Sequence, residues 1–237
     1  MKIKGRKSMS KQKRQKENNN IKPIMIFTLA AISIIVIAVL IGTQVQNPNA
    51  NQSEELELPY ETQPVLGAED ASVQIVEFGD YKCPACQAFD ESIFTQLKTD
   101  FIDNGKVSFY FMNYPFIGAD SETAALAGEA VYEQDKEQFW AFHHALFENQ
   151  GPEEQRWATK ERLLEVAEAS TKDLDIEKLE KDIEKKTFKG EVESDKQILD
   201  QYGFKGTPTL FINGKEVENP FDYKEIKSMI EAELENE

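Results

Sequence analysis

Cysteine and histidine are scarce in this chain of 237 residues, which contains two of each. Both cysteines lie in one four-residue segment, CPAC, from Cys83 to Cys86. A disulfide across two intervening residues closes a very short loop and restricts the unfolded chain little, which excludes a scaffold held together by disulfides. The segment is therefore either a redox-active pair or half of a metal site.

Zinc requires four ligands, and CPAC supplies only two. The two histidines, His143 and His144, are adjacent, and adjacent side chains on a helix project about 100° apart. We therefore expect a packed or surface pair on one helix, not two ligands of one metal. The D-x-D-x-D-G spacing of a calcium-binding loop is also missing, so the sequence predicts no metal site.

Charge is absent from Ile24 to Ile41, where Thr28 and Ser33 are the only polar residues among 18. As a helix this run would be about 27 Å long, close to the roughly 30 Å hydrocarbon core of a bilayer. A cleaved signal peptide is the alternative, but its apolar run is shorter, about 7–15 residues. Cleavage after Ala50 would also place Pro48 where a small residue is needed. An uncleaved transmembrane anchor, residues 24–41, is favoured.

The basic residues that precede the predicted anchor determine its orientation. Residues 1–50 contain nine Lys or Arg, all before the apolar run, and one acid. The net charge is therefore +8 over residues 1–50 and −24 over the rest of the chain. The positive-inside rule keeps residues 1–23 cytoplasmic and places the acidic body outside the cell membrane, in an oxidising compartment. Nucleic-acid binding is the rival interpretation; we expect none, because the acidic body repels phosphate.

The polar segment 42–62 lacks apolar periodicity and is predicted to be a flexible tether. The folded domain is then residues 63–237. Its first apolar run, Ser72–Asp80, is typical of a strand buried on both faces. Helical spacing follows from CPAC to Phe101, and Lys106–Pro115 is a second strand. This order predicts a right-handed βαβ unit with CPAC at the helix N-terminus.

Residues 119–202 have helical periodicity, with Ser121, Thr159 and Asp175 as predicted N-caps. The segment TPTLFINGKEVE then predicts a β-hairpin around Asn213-Gly214, and a helix closes the chain. The whole order predicts an α/β thioredoxin arrangement, residues 63–118 and 203–237, with the α-helical domain 119–202 inserted and one transmembrane helix before it.

The segment VEFGDYKCPACQAF, with GFKGTPTLFINGK about 120 residues later, resembles the DsbA-like thiol:disulfide oxidoreductases. The aromatic segment EQFWAFHHALFENQ in the insert is similar to a helix of that family. The resemblance covers about residues 65–235. It implies an enzyme whose only redox group is the Cys83–Cys86 disulfide, without a further cofactor.

Cys83 is the predicted nucleophile, because unpaired N–H groups and the helix dipole at its position favour thiolate over thiol. Such positions lower a cysteine pKa from about 8.5 to about 3.5–7.5. Cys86, one turn further on, is the predicted resolving thiol. Pro84 suits the first helical turn, where its missing N–H is not needed. A purely structural bridge is the alternative.

Two further roles are implied by the resemblance. The Thr207-Pro208 bond is expected to be cis and to lie against the cysteine pair, which leaves the Thr207 backbone free to pair with a substrate strand. An ordinary trans proline is the alternative. Glu77, six residues before Cys83, is expected to accept a proton near the resolving thiol. Partial exposure without a role is its alternative.

The direction of exchange depends on the reduction potential of the cysteine pair. Between the most reducing and the most oxidising proteins of this fold, this potential differs by about 150 mV, or about 7 kcal/mol for two electrons. Pro84 and Ala85 tune it, and strongly oxidising relatives often have His in place of Ala85. An oxidase for reduced exported proteins, reoxidised by a quinone-linked membrane protein, is the favoured interpretation. A reductase or isomerase, for example in cytochrome maturation, and a non-catalytic binding module are the alternatives.

Overall fold

The computed structural model describes residues 58–236. The predicted cytoplasmic head 1–23, the predicted anchor 24–41 and most of the predicted tether 42–62 lie outside these residues. Within the described part, no helix combines the length and the apolar character needed to cross a bilayer.

A five-stranded mixed sheet, in the order β1-β3-β2-β4-β5, forms the centre of the described part. The strands are β1 (Val65–Gly67), β2 (Val73–Gly79), β3 (Val107–Asn113), β4 (Thr209–Ile212) and β5 (Lys215–Glu216). Helix α1 spans 84–102 and alternates between α-helical (Pro84–Phe89, Thr95–Leu97) and π-helical segments (Asp90–Phe94, Lys98–Ile102). The other helices are α2 (Ala119–Gln134), α3 (Lys136–Glu148), α4 (Lys160–Ser170), α5 (Ile176–Lys185), α6 (Lys189–Gln201) and α7 (Tyr223–Glu235).

The predicted βαβ unit is confirmed. Strands β2 and β3 are parallel, in register from Val73 opposite Val107 to Gly79 opposite Asn113, and α1 connects them. The hairpin prediction is also confirmed: β4 runs antiparallel to β2 and turns into β5. The two turn residues, Asn213 and Gly214, have φ of 45° and 75°, which a tight hairpin requires and which Asn and Gly adopt readily. These elements form the thioredoxin-type sheet.

Five helices, α2–α6, lie between β3 and β4. Two predicted caps are confirmed, since the Thr159 hydroxyl accepts from the Arg162 N–H and the Asp175 carboxylate from the Lys178 N–H. The prediction for Ser121 was wrong. Helix α2 begins earlier, with Gly118 as its N-cap, and Ser121 sits in the first turn, where its hydroxyl accepts from the Gly118 N–H at 3.3 Å.

Strand β1 was not predicted. Its three residues pair antiparallel with the outer edge of β3, and they are too few to show an alternating pattern. Gly67 has a φ of +99°, and a Cβ there would lie 2.5 Å from the Val107 carbonyl oxygen. Glycine therefore lets this edge strand approach β3 closely.

Apolar side chains pack on both faces of the sheet. One cluster contains Val76 and Phe78 of β2 together with Leu199 of α6. The other contains Val73 and Ile75 and extends to α1, both cysteines and α3. Because strand side chains alternate, Glu77 lies on the same face as Ile75. The fold therefore places this carboxyl group on the side of the sheet that carries CPAC.

Candidate active site

Cys83 is the N-cap residue of α1, with extended backbone angles, and Pro84 occupies the first helical turn as predicted. The Cys83 N–H donates to the Asp80 carbonyl at 2.9 Å, which closes the turn between β2 and the helix. Cys83 and Cys86 are both free thiols and both buried, while Pro84 is exposed and Ala85 half-buried. The reactive pair thus lies just beneath a small exposed surface.

The two thiols differ strongly in acidity. A hydrogen bond from the Cys86 thiol is the main cause that lowers the pKa of Cys83 to about 6, against the opposing effect of burial. The backbone N–H groups of Cys86 and Ala85 contribute in the same direction. Burial raises the pKa of Cys86 well above its ordinary value. Near neutral pH one sulfur is therefore a thiolate and its partner a thiol.

The Thr207-Pro208 peptide bond is cis, as expected. It lies against the cysteine pair, with the Thr207 carbonyl oxygen 3.4 Å from the Cys83 Sγ. Strand β4 begins directly after it, at Thr209. The backbone of Thr207 is therefore positioned beside the nucleophilic sulfur at the start of a strand.

Glu77 is 1% exposed, so the alternative of a partly exposed glutamate is wrong. Its Oε1 has no hydrogen-bond partner among residues 58–236. Burial, followed by the charges of Asp90 and Cys83, raises the pKa of Glu77 well above its ordinary value. The charge of Glu77 in turn contributes to raising the pKa of Cys86. Glu77 is thus a buried carboxyl group whose pKa is raised and which interacts electrostatically with the buried Cys86 thiol.

The helical insert holds the CPAC turn through contacts that the sequence did not reveal. The Lys82 ammonium group pairs with Asp120 at 2.9 Å and donates to the Gln155 carbonyl at 3.0 Å. The Gln150 side-chain amide donates to the carbonyls of Tyr81 at 2.9 Å and Cys83 at 3.1 Å. These partners lie 38 to 73 residues from the turn, so no local pattern connects them.

The two adjacent histidines lie against one carboxylate. The Asp90 Oδ1 lies 2.7 Å from the His144 Nδ1 and 4.0 Å from the His143 Nε2, so both rings reach one carboxylate. The two side chains leave adjacent positions of α3, and the Asp90 carboxylate of the facing helix α1 lies near both rings. His143 is buried, as expected of a packed residue, and His144 is half-buried.

A dithiol at the N-terminus of the first helix after a buried strand, facing a cis-proline turn, defines a thioredoxin-fold protein suited to thiol–disulfide exchange. A family model described as thioredoxin matches residues 60–232, and the chain belongs to that family. Within the family it is a thiol:disulfide oxidoreductase of the DsbA-like kind, which confirms the resemblance.

The chain is similar to curated disulfide bond formation proteins of bacilli. It is 46% identical over 172 residues to disulfide bond formation protein D of Bacillus subtilis, covering 73% of this chain and 77% of that protein. It is 37% identical over 212 residues to the probable disulfide bond formation protein D of Bacillus cereus, covering 88% and 97%. The crystal structure of oxidised BdbD from Bacillus subtilis superposes with a TM-score of 0.71 at 44% identity, covering 74% and 94%.

Proposed function

We propose that this chain oxidises exported proteins outside the cytoplasm by donating the Cys83–Cys86 disulfide during their folding. The observation that carries the proposal is the opposite shift of the two thiol pKa values, with Cys83 at about 6 and Cys86 raised. Ionisation stabilises the reduced form of the enzyme, and a dithiol whose reduced form is stabilised is the stronger oxidant. The similarity to disulfide bond formation proteins supports the same direction.

The transfer has two steps. A substrate thiolate attacks the Cys83 sulfur of the enzyme disulfide, which forms a mixed disulfide and releases Cys86 as a thiolate that takes up a proton. A second substrate thiolate then attacks the substrate sulfur of the mixed disulfide and releases Cys83 as a thiolate. The substrate loses two electrons, and the enzyme disulfide gains them and becomes the dithiol. Cys83 is the better leaving group because its thiol has the lower pKa.

Glu77 is the proton carrier for Cys86 in this proposal. It is buried on the sheet face that carries the cysteines, and its protonated carboxyl group can supply the proton that the released Cys86 thiolate needs. Thr207 and Pro208 form the substrate-binding edge, where an extended segment of substrate pairs with the Thr207 backbone while its sulfur is bonded to Cys83.

The membrane arrangement belongs to the same proposal and rests on the sequence. Residues 24–41 anchor the chain, residues 1–23 remain cytoplasmic, and the segment 42–62 tethers the catalytic domain outside. A quinone-linked thiol oxidase in the same membrane reoxidises Cys83 and Cys86. Substrates and this partner both exchange disulfides with Cys83. The Cys83–Cys86 pair is then the redox group for both reactions, and the enzyme needs no additional cofactor.

The reduction potential of the full-length chain, equilibrated with glutathione buffers, tests the direction of transfer. We expect a value nearer to about −120 mV than to about −270 mV, the oxidising and reducing extremes of this fold. The reason is the low pKa of Cys83, which stabilises the dithiol form. A value at the reducing extreme would contradict the oxidase proposal and favour a reductase. Ala85, which stands where strongly oxidising relatives often have histidine, would be consistent with that result.

A further inference from the structure

Three metal-ligating side chains converge on the side of α1 that faces α3. Asp90 begins the first π-helical segment of α1, and His143 and His144 come from α3. One donor atom from each of the three lies within 4.8 Å of the others. Neither cysteine is part of this cluster, and the proposed exchange reaction does not use the two histidines.

The imidazole of His143 is already oriented as a metal ligand. Its Nδ1 and the Tyr81 hydroxyl are hydrogen-bonded at 3.0 Å, and its Nε2 faces Asp90. With the ring proton on Nδ1, donated to the Tyr81 oxygen, Nε2 offers its lone pair toward Asp90. Metal-binding histidines typically donate their other ring N–H to an oxygen in this way.

The other side of the cluster is open. A cavity of about 410 Å³ is lined by Asp90, Phe94, His144 and Glu148, among others. Glu148 is exposed and lies one turn beyond His144 on the same helix face. An ion can therefore enter from this cavity, and water or the Glu148 carboxylate can fill the coordination positions that the three side chains leave free.

We propose that Asp90, His143 and His144 form a binding site for a divalent transition-metal ion of the zinc class. Two imidazoles and one carboxylate suit Zn²⁺, whereas Mg²⁺ and Ca²⁺ prefer oxygen ligands. In a tetrahedral zinc site with bonds of about 2.1 Å, ligand atoms lie about 3.4 Å apart. The observed separations of 2.7 Å and 4.0 Å from the Asp90 oxygen bracket that value, and no two of the three donor atoms are more than 4.8 Å apart.

Zinc binding to the full-length chain with Cys83 and Cys86 locked as a disulfide tests the site, because no thiolate is then available. We expect one Zn²⁺ per chain in equilibrium dialysis. The chain has only two histidines, so NMR resolves both imidazoles, and both should shift on titration with Zn²⁺. His144→Ala should weaken binding by at least about tenfold, and Tyr81→Phe, which removes the outer hydrogen bond, by about tenfold or more.

The matched control is Glu165→Gln on α4, an exposed glutamate paired with Arg162, and it should bind zinc like the unaltered chain. His144→Ala should keep its rate of disulfide transfer measured without zinc, which shows that the variant is folded and separates this test from that of the proposed function. Failure of the oxidised chain to retain zinc would overturn the proposal. Binding of one zinc that leaves both imidazole signals in place would overturn it as well.

Discussion

Cys83→Ala is expected to reduce disulfide transfer to a reduced, unfolded substrate protein to the uncatalysed rate. The substitution removes the sulfur that the substrate attacks and the thiolate that leaves in the second step. The remaining thiol, Cys86, is still buried, and burial is the main cause that raises its pKa above the ordinary value. The measurement is the rate of substrate thiol loss, followed with the oxidised enzyme in excess.

Cys86→Ala is the matched control, because it retains the nucleophile and lacks only the resolving thiol. It should accumulate a mixed disulfide between Cys83 and a disulfide-bonded substrate, visible as a covalent adduct by mass spectrometry, whereas Cys83→Ala should form none. Retained catalysis by Cys83→Ala, or adduct formation at Cys86, would contradict the assigned roles. A binding module would retain its function in both variants.

Lys82→Met is expected to destabilise the protein by about 3–5 kcal/mol, because it leaves a buried carboxylate without its cation. The side chains of Lys82 and Asp120 are each 5% exposed, and their pair joins the CPAC turn to the insert. Asp120 also accepts from the N–H groups of Trp157 and Ala158, and these bonds alone do not neutralise its charge. Urea denaturation of the reduced chain measures the free energy of unfolding.

The control is Lys98→Met, which breaks the ion pair with Asp103 at the surface of the same domain. Those side chains are 43% and 54% exposed, so the loss should stay below about 1 kcal/mol. Equal losses in the two variants would show that Lys82 does not hold the turn through a buried charge.

The sheet was predictable because its strands carry local signals. Ser72–Asp80 carries the apolar residues Val73, Ile75, Val76 and Phe78, as expected of a strand buried on both faces. Asn213-Gly214 marks a hairpin whose turn only a few residue types adopt. Strand β1 has no such signal, since three residues cannot show a period. Ser121 was misplaced because a serine in the first turn and a serine N-cap give the same local pattern.

The candidate active site also contains residues with a local sequence signal and residues without one. CPAC predicts a nucleophile from a few adjacent residues, because the Cys86 thiol, the main cause that lowers the Cys83 pKa, lies in the same four-residue segment. The cis bond at Pro208 came from resemblance, because local sequence leaves both isomers open. Lys82, Gln150 and the meeting of Asp90 with two histidines depend on how α1 packs against the insert, and contacts across that distance in sequence leave no periodic trace.

The pH dependence of Cys83 alkylation in the reduced, full-length chain tests the central claim most directly. Only the thiolate reacts, so the rate should rise with pH about a midpoint near pH 6, while buried Cys86 remains unmodified. Cys86→Ala should move that midpoint upward, because it removes the hydrogen bond that contributes most to the shift. A midpoint near about 8.5, the value of an ordinary cysteine, would contradict the ionised nucleophile on which the proposed function depends.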